Sequence, residues 1–425
     1  MASLAQGTRS LGLGEPGAIE QTGLDLSFIC DLTLKSIYFQ SSATGQAISD
    51  QICLPYFNVV ERALAQLKRE EFVEINGSLG IGEMAYQYAL TPKGVGRAHE
   101  ILERNAYVGP APVTLDAFRE MVRLQSIKNT RVTPQDVRKA MHPLVIADEI
   151  LDTVGEAVNT GGSVFLFGDP GNGKTVLAER ITDLLGSVVL IPHCILVDGQ
   201  IIKVLDLQNH QPVAPTTARS DLDRRWVTCK RPTVIVGGEL TMQSLDLVYD
   251  PSSGIYEAPL QMKAINGMLL IDDFGRQQVR PRDLLNRWIV PLEKRVDFLT
   301  LHTGKKIEIP FDELIVFSTN LKPQDLVDEA FLRRIQSKIR INNPTIDQYR
   351  QIFRQQCELL GVPFEQAGLV HLLREHYVKP KRELRSCHPR DILRTLVGIA
   401  RYLGSTPSLT PELIDRACAT YFVEF

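Results

Sequence analysis

A glycine-rich segment that ends in lysine and threonine carries the clearest chemistry in this chain. It fits the pattern G-x-x-x-x-G-K-[ST], in which backbone N–H groups wrap phosphate oxygens and the next helix adds a partial positive charge. The lysine of this pattern reaches the outer phosphates, and the threonine hydroxyl binds Mg²⁺. The residues expected to contact a nucleotide are Gly168, Asp169, Pro170, Gly171, Asn172, Gly173, Lys174, Thr175 and Val176. The segment predicts a site for ATP and Mg²⁺.

Two adjacent carboxylates, Asp272 and Asp273, follow the apolar run Met268–Ile271. Such a run is typical of a buried parallel strand, and catalytic groups gather at the carboxyl ends of these strands. An Asp-Asp pair after a buried strand is common by itself, but here a phosphate loop precedes it. We expect Asp272 to hold Mg²⁺ with Thr175, and Asp273 to position the water that attacks the γ-phosphate. Together the two motifs predict hydrolysis of ATP to ADP and phosphate.

These residues require a strand, a loop and a helix in that order. Ser163–Phe167 is an apolar segment directly before the loop, and Val176–Ile181 has helical periodicity directly after it. The pattern predicts an α/β fold with a parallel sheet. From residue 344 onward the periodicity is helical, which predicts a separate helical lid.

Composition and apolar runs narrow the classes of protein to which this chain can belong. The 425 residues carry a net charge of −3, and the seven cysteines are dispersed without zinc-like spacing. No apolar run approaches the ~20 residues needed to span a bilayer. Residues 1–23 lack the apolar core of a signal peptide. We therefore expect a cytoplasmic protein with reduced thiols and without membrane insertion.

The chain divides into five predicted parts. These are a flexible tail at 1–23, an N-terminal domain at 24–108, a linker at 109–130, a nucleotide-binding domain at 131–343 with an insertion at 188–232, and a helical lid at 344–425. The N-terminal domain resembles a winged helix, because three helical patterns precede two short strands, Phe72–Ile75 and Tyr86–Leu90.

The charge of the N-terminal domain bears on its partner. Residues 1–109 contain 8 Lys and Arg against 12 Asp and Glu. Binding to DNA phosphates needs clustered cations, which this domain lacks. We therefore favour docking to a protein substrate or adaptor over reading DNA, which stays an alternative.

Further motifs, in matching order, make the chain from about residue 131 onward resemble the AAA+ ATPases. Leu314–Asn320 resembles the strand that carries sensor 1, and 328–335 resembles the arginine-finger segment. His388–Ile392 resembles sensor 2 at the start of a lid helix. The resemblance implies that Asn320 and Arg390 contact the γ-phosphate. It also implies that Arg333 or Arg334 reaches the site of a neighbouring subunit.

A predicted hairpin before sensor 1, Val296–Leu301 with Lys306–Ile309, is similar to the branch that includes the MoxR and minichromosome-maintenance groups. Members of that branch form rings, so the resemblance implies a homo-oligomeric ring, with six subunits as the expected number. AAA+ rings that thread a polymer use aromatic pore loops. Gly254–Glu257 is the best candidate for such a loop here, although a plain turn is the slightly favoured interpretation.

One position departs from the family pattern. Most AAA+ proteins have Asp-Glu where this chain has Asp272 and Asp273, and the shorter side chain predicts slow turnover without a partner. Asp-Asp-Phe-Gly also resembles the motif of helicase-loader ATPases. The leading hypothesis is a ring ATPase that remodels a protein partner. The alternatives are a DNA-linked ATPase of the loader or transposition-helper type, and an ATP-gated interaction module with weak hydrolysis.

Overall fold

The computed structural model of the chain describes residues 14–186, 188–213, 222–326 and 332–422. Its strands are β1 (Ser42–Thr44), β2 (Val73–Ser78), β3 (Tyr86–Leu90), β4 (Val113–Thr114), β5 (Ser163–Phe167), β6 (Val188–Pro192), β7 (Cys194–Val197), β8 (Gln200–Lys203), β9 (Trp226–Lys230), β10 (Thr233–Val236), β11 (Val248–Asp250), β12 (Ile255–Glu257), β13 (Met268–Ile271), β14 (Val296–Thr300), β15 (Lys306–Pro310), β16 (Leu314–Thr319) and β17 (Ser337–Arg340). Its α-helices are α1 (Ile19–Thr22), α2 (Leu26–Gln40), α3 (Gly45–Ile52), α4 (Glu61–Arg69), α5 (Pro92–Arg104), α6 (Leu115–Leu124), α7 (Pro134–Met141), α8 (Asp148–Thr160), α9 (Lys174–Ile181), α10 (Leu260–Lys263), α11 (Pro281–Arg287), α12 (Ile289–Lys294), α13 (Pro323–Leu326), α14 (Ile346–Leu360), α15 (Gln366–Leu373), α16 (His388–Tyr402) and α17 (Pro411–Tyr421). A π-helical turn occurs at Arg374–Val378. The segment Tyr56–Val60 is a kink, in which Phe57 has a ψ of 135° and Asn58 a φ of 62°.

A parallel sheet with the strand order β10-β13-β16-β5-β17 forms the centre of the nucleotide-binding domain. Alternate residues of β5 enter different cores. Val164 and Leu166 pack with α7, α8 and α9, whereas Phe165 packs on the other face with Phe274 and Phe317. Both faces are therefore covered, as a parallel sheet requires. The predicted α/β fold with a parallel sheet is confirmed.

The C-terminal part is helical, as predicted, and contains α14 to α17. Thr345 and Gln348 form a capping box at the start of α14, and Gly361 ends it with a φ of 66°. The helical periodicity of the sequence from Phe364 to Tyr377 by itself predicts one helix. Instead α15 ends at Leu373 and a π-helical turn follows.

A second sheet has the strand order β11-β12-β8-β7-β4 and is mixed, with parallel and antiparallel pairs. Its strand β4 belongs to the predicted linker, and β7 and β8 belong to the predicted insertion. Asp198 and Gly199, with φ of 50° and 76°, form the turn of the β7–β8 hairpin, as an Asp-Gly pair between two apolar runs predicts. The linker is packed rather than exposed, because Ala111 is buried and its amide donates to the Ile52 carbonyl oxygen.

The N-terminal domain contains α1 to α5 and an antiparallel sheet with the order β1-β3-β2. The predicted pair of strands thus gains β1 as a third. Part of the predicted tail is also structured, since α1 packs with Ile19 buried and Arg225 donates to the Thr22 carbonyl oxygen at 2.8 Å. The remainder of that tail, residues 1–13, lies outside the described residues.

Candidate nucleotide-binding site

The glycine-rich loop connects β5 to α9. Gly168 and Gly173 have φ of 146° and 79°, a region that favours glycine. A Cβ on Gly168 would lie 2.2 Å from the carbonyl oxygen of Ile341, the residue after β17. The loop therefore closes tightly between two strands and the first turn of α9, where the helix contributes its partial positive charge. Val176, in that first turn, is partly exposed.

Lys174, the first residue of α9, folds back over the loop. Its Nζ donates to the carbonyl oxygens of Gly168 and Asp169, both at 2.9 Å, and to Asn320 Oδ1 at 2.7 Å. Burial lowers the pKa of Lys174, and the carboxylates of Asp272, Asp169 and Asp273 oppose this shift. These hydrogen-bond acceptors are neutral oxygens, so an anionic phosphate is a stronger partner for the ammonium group.

The metal-binding residues predicted from sequence lie in contact. Thr175 Oγ1 donates to Asp272 Oδ2 at 2.9 Å, which joins the start of α9 to the end of β13. A hydroxyl and a carboxylate are the oxygen ligands that Mg²⁺ prefers, with water and phosphate oxygens filling its other positions. The donor set fits Mg²⁺ bound with a nucleotide.

Asp273 sits in the left-handed region, with a φ of 48°. Its amide donates to Asp272 Oδ1 at 3.1 Å, and its Oδ1 accepts from Asn320 Nδ2 at 3.2 Å. Asn320 thus contacts both Lys174 and Asp273. The structure brings together Lys174, Thr175, Asp272, Asp273 and Asn320, which are separated in sequence by up to 146 positions.

The lid contacts the loop directly. The Cys387 amide donates to the Gly171 carbonyl oxygen at 2.8 Å, and the Ser386 amide donates to Asn172 Oδ1 at 3.2 Å. A Cβ on Gly171 would lie 2.5 Å from Cys387 Sγ. The start of the lid helix and the phosphate loop are therefore joined by backbone and side-chain hydrogen bonds.

The lid arginine against the loop is Arg385. Its Nη1 donates to the Pro170 carbonyl oxygen at 3.3 Å, whereas Arg390 Nε donates to the neighbouring Asp391 at 2.8 Å. The sequence resemblance selected Arg390 and did not point to Arg385, so the role of Arg390 stays a prediction. The available signal was three basic residues within 381–385, a segment that ends shortly before the lid helix begins at His388.

The two candidate finger arginines lie on the turn that leads to β17. Arg333 is exposed, and Arg334 Nε donates to Glu293 Oε1 at 2.5 Å. Most of the preceding residues of that segment, 328–331, lie outside the described residues.

The candidate pore loop is not an exposed loop. Ile255–Glu257 forms β12, and Tyr256 is 1% exposed within the core of the mixed sheet. The His302 amide donates to Tyr256 Oη at 2.9 Å. The pore-loop interpretation is therefore wrong, and the plain turn that the sequence favours is confined to Gly254 and the residues before it, because 255–257 pairs as a strand.

The comparison with known protein families matches the C-terminal part of the chain. Residues 345–420 match a family model described as a domain of unknown function, DUF8689. The sequence matches no curated protein significantly. Among the described residues, no helix is long and apolar enough to cross a membrane.

Solved structures of similar shape include NtrX from Brucella abortus in complex with ADP. That match has 14% identity and a TM-score of 0.40, and it covers 63% of this chain and 52% of that chain. Another is the RuvB Holliday junction branch migration motor of Thermotoga maritima, with 13% identity, a TM-score of 0.36 and coverage of 69% and 73%. The chain spans less than two thirds of the NtrX chain. Values this low assign no activity, so a functional assignment has to rest on this chain's own residues.

Proposed function

We propose that this chain is an AAA+ ATPase that hydrolyses ATP with Mg²⁺ and uses the cycle to remodel a protein partner. The single observation that carries the proposal is the contact cluster at the carboxyl ends of three neighbouring parallel strands. The phosphate loop follows β5, the carboxylates follow β13 and Asn320 follows β16. Ligands bind in such crevices of parallel sheets.

Each residue of the cluster has one role in this proposal. Lys174 and the loop amides bind the phosphates, while Thr175 and Asp272 hold Mg²⁺, which neutralises phosphate charge when bound. Asp273 and Asn320 orient the attacking water. Arg385, next to Pro170, senses the nucleotide from the lid, a role that the sequence resemblance gives to Arg390.

We further propose that the site is shared between subunits of a ring, with Arg333 or Arg334 acting on the neighbour's nucleotide. The exposure of Arg333 supports this role, since a residue that acts on a neighbour has to be accessible. Steady-state hydrolysis per subunit should then rise with protein concentration, with Lys174→Ala as the blank. Arg333→Ala and Arg334→Ala together should abolish it, whereas Arg123→Ala, in an exposed pair with Glu120, should not.

Mixing two inactive variants distinguishes a site formed between two subunits from a site that the substitutions have simply damaged. Lys174→Ala subunits retain the finger, and Arg333→Ala/Arg334→Ala subunits retain the loop. In a shared-site ring their mixture recovers part of the activity, because some sites combine an intact loop with an intact finger. A rate per subunit that is independent of dilution, with no recovery on mixing, would refute the shared site.

The N-terminal domain recruits the partner in this proposal. Its winged-helix-like hairpin presents apolar residues at the tip, where Leu79 and Ile81 are 76% and 105% exposed. Apolar side chains suit a protein surface, whereas DNA phosphates require cations. A hydrolysis rate that stays flat when single- and double-stranded DNA are added supports a protein partner. Several-fold stimulation by DNA would instead establish the DNA-linked function.

A further inference from the structure

Three metal-ligating side chains meet on the lid, away from the residues of the nucleotide site. His371 lies on α15, His376 lies in the π-helical turn that follows, and Asp415 lies on α17. Their ligand atoms all lie within 4.8 Å of one another. We propose that they form a binding site for a divalent transition metal of the zinc class.

The π-helical turn is what brings the two histidines together. Residues five apart in an α-helix point about 140° away from each other, since each residue turns the helix by about 100°. The turn Arg374–Val378 inserts an extra residue, and the Lys379 amide bonds to the Arg374 carbonyl oxygen five positions back. Such turns recur at functional sites in helices. His376 therefore returns to the side of the helix that His371 occupies.

Both imidazoles point at one carboxylate oxygen. His371 Nε2 and His376 Nε2 each lie 2.7 Å from Asp415 Oδ1. Two ligands of a tetrahedral zinc ion lie about 3.4 Å apart, given bonds of about 2.1 Å. Small side-chain rotations of Asp415 and the two rings therefore make room for an ion in place of the two Nε2 protons.

The ligand set matches the metal class and is reachable. Two imidazoles and a carboxylate suit Zn²⁺ and related ions better than Mg²⁺ or Ca²⁺, which prefer all-oxygen sites. The side chains of His371 and His376 are 19% and 21% exposed, so an ion enters from solvent. Within the described residues no fourth His, Cys, Asp or Glu joins the group, which leaves one position for water. Bound metal would clamp α15 to α17 and stiffen the lid.

The test is a titration of the full-length protein with Co²⁺ as the probe, after removal of metals by a chelator and without nucleotide. An Asp272→Asn background removes the carboxylate that would hold a metal ion at the nucleotide site. The expected result is one equivalent of tightly bound Co²⁺ with the intense visible bands of four-coordinate geometry. His371→Ala or His376→Ala should weaken binding by at least about tenfold. His99→Ala, an exposed histidine bonded to Tyr38, is the matched control and should change nothing.

A measurement of Tm distinguishes loss of the metal site from misfolding of a variant. Zn²⁺ should raise the Tm of the wild type and of His99→Ala, and leave that of Asp415→Asn unchanged, because a ligand stabilises only the fold that binds it. Equal Co²⁺ binding by all variants would overturn the proposal. Absence of Co²⁺ binding by the folded wild type would also overturn it. His371, His376 and Asp415 would then serve only as hydrogen-bonding partners within the lid.

Discussion

Asp273 occupies a backbone conformation that few residues adopt. Its φ of 48° turns the chain sharply after β13, and its carboxylate meets the Asn320 amide. Asparagine tolerates this left-handed region nearly as well as aspartate does, whereas other side chains are strained there. Replacing Asp273 with asparagine therefore removes the carboxylate charge and keeps the backbone conformation.

We predict that Asp273→Asn binds ATP normally and hydrolyses it at least about 100-fold more slowly, the range typical of a lost general base. The reason is that an amide still accepts a hydrogen bond but no longer withdraws a proton from water. Single-turnover hydrolysis beside equilibrium ATP binding separates the two effects. Asp272→Asn is the contrast, since it should weaken Mg²⁺-dependent binding. Unchanged turnover in Asp273→Asn would show that another group activates the water.

The two lid arginines give a second prediction at this scale. Arg385→Ala should weaken ATP binding by about tenfold or more, because it removes a cation beside the phosphate loop. Arg390→Ala should have a smaller effect, since Arg390 is half exposed and paired with Asp391. Fluorescent-nucleotide affinity for both variants decides between them. The reverse order of effects would restore the role that the sequence resemblance assigns to Arg390.

Among the elements, the lid helix α16 links the nucleotide site to the lid core. Its first residue, His388, is buried, and its Nδ1 lies 2.9 Å from Tyr377 Oη. Burial and the nearby cations Arg385 and Arg382 together lower the pKa of His388 to about 4, against the smaller opposing effect of Asp391. The folded lid thus holds a neutral histidine directly after the residue that bonds to Gly171.

This shift predicts how lid stability depends on pH. In the unfolded chain His388 is protonated below about pH 6.5, whereas in the folded lid it stays neutral down to about pH 4. The stabilisation is therefore complete above pH 6.5 and is lost as the pH falls toward 4, by up to about 3 kcal/mol. Urea unfolding at several pH values should show a shallower decline for His388→Gln than for the wild type. Parallel curves would exclude this histidine as the cause.

In the whole molecule, a buried ion pair joins the N-terminal domain to the rest of the chain. Arg225 and Asp223 side chains are 6% and 8% exposed and 2.7 Å apart. Arg225 Nη1 also donates to the carbonyl oxygens of Thr22 and Pro112. The pair therefore fixes the domain's entry segment and the predicted linker at one point.

We predict that Arg225→Ala lowers the free energy of unfolding by about 3–5 kcal/mol, because it leaves Asp223 buried without its partner. Limited proteolysis should then cut near residues 109–112, which the wild type protects by packing. Arg123→Ala serves as the comparison, since exposed ion pairs contribute little to stability. A protected linker in Arg225→Ala would contradict the proposed role of the pair.

Sequence alone determined the parts of this protein whose signals are local. The phosphate loop, the apolar run before Asp272 and the turn at Asp198 each depend on a few adjacent residues and their intrinsic backbone preferences. The apolar run before Asp272 also predicted that the two carboxylates lie at the carboxyl edge of a parallel sheet. The place of Asn320 beside them came from the family resemblance of its strand.

Tertiary packing decided what the local pattern leaves open. Tyr256 has the local sequence of a candidate pore loop, but its pairing with β8 buries it. Arg385 and Arg390 are both cations near the start of one helix, and only the docking of the lid on Gly171 places the first of them against the loop. The histidines at 371 and 376 have the spacing of opposite helix faces, and a π-helical turn set by the surrounding helices brings them together. Such contacts join residues far apart in sequence, so their geometry follows from packing rather than from local propensity.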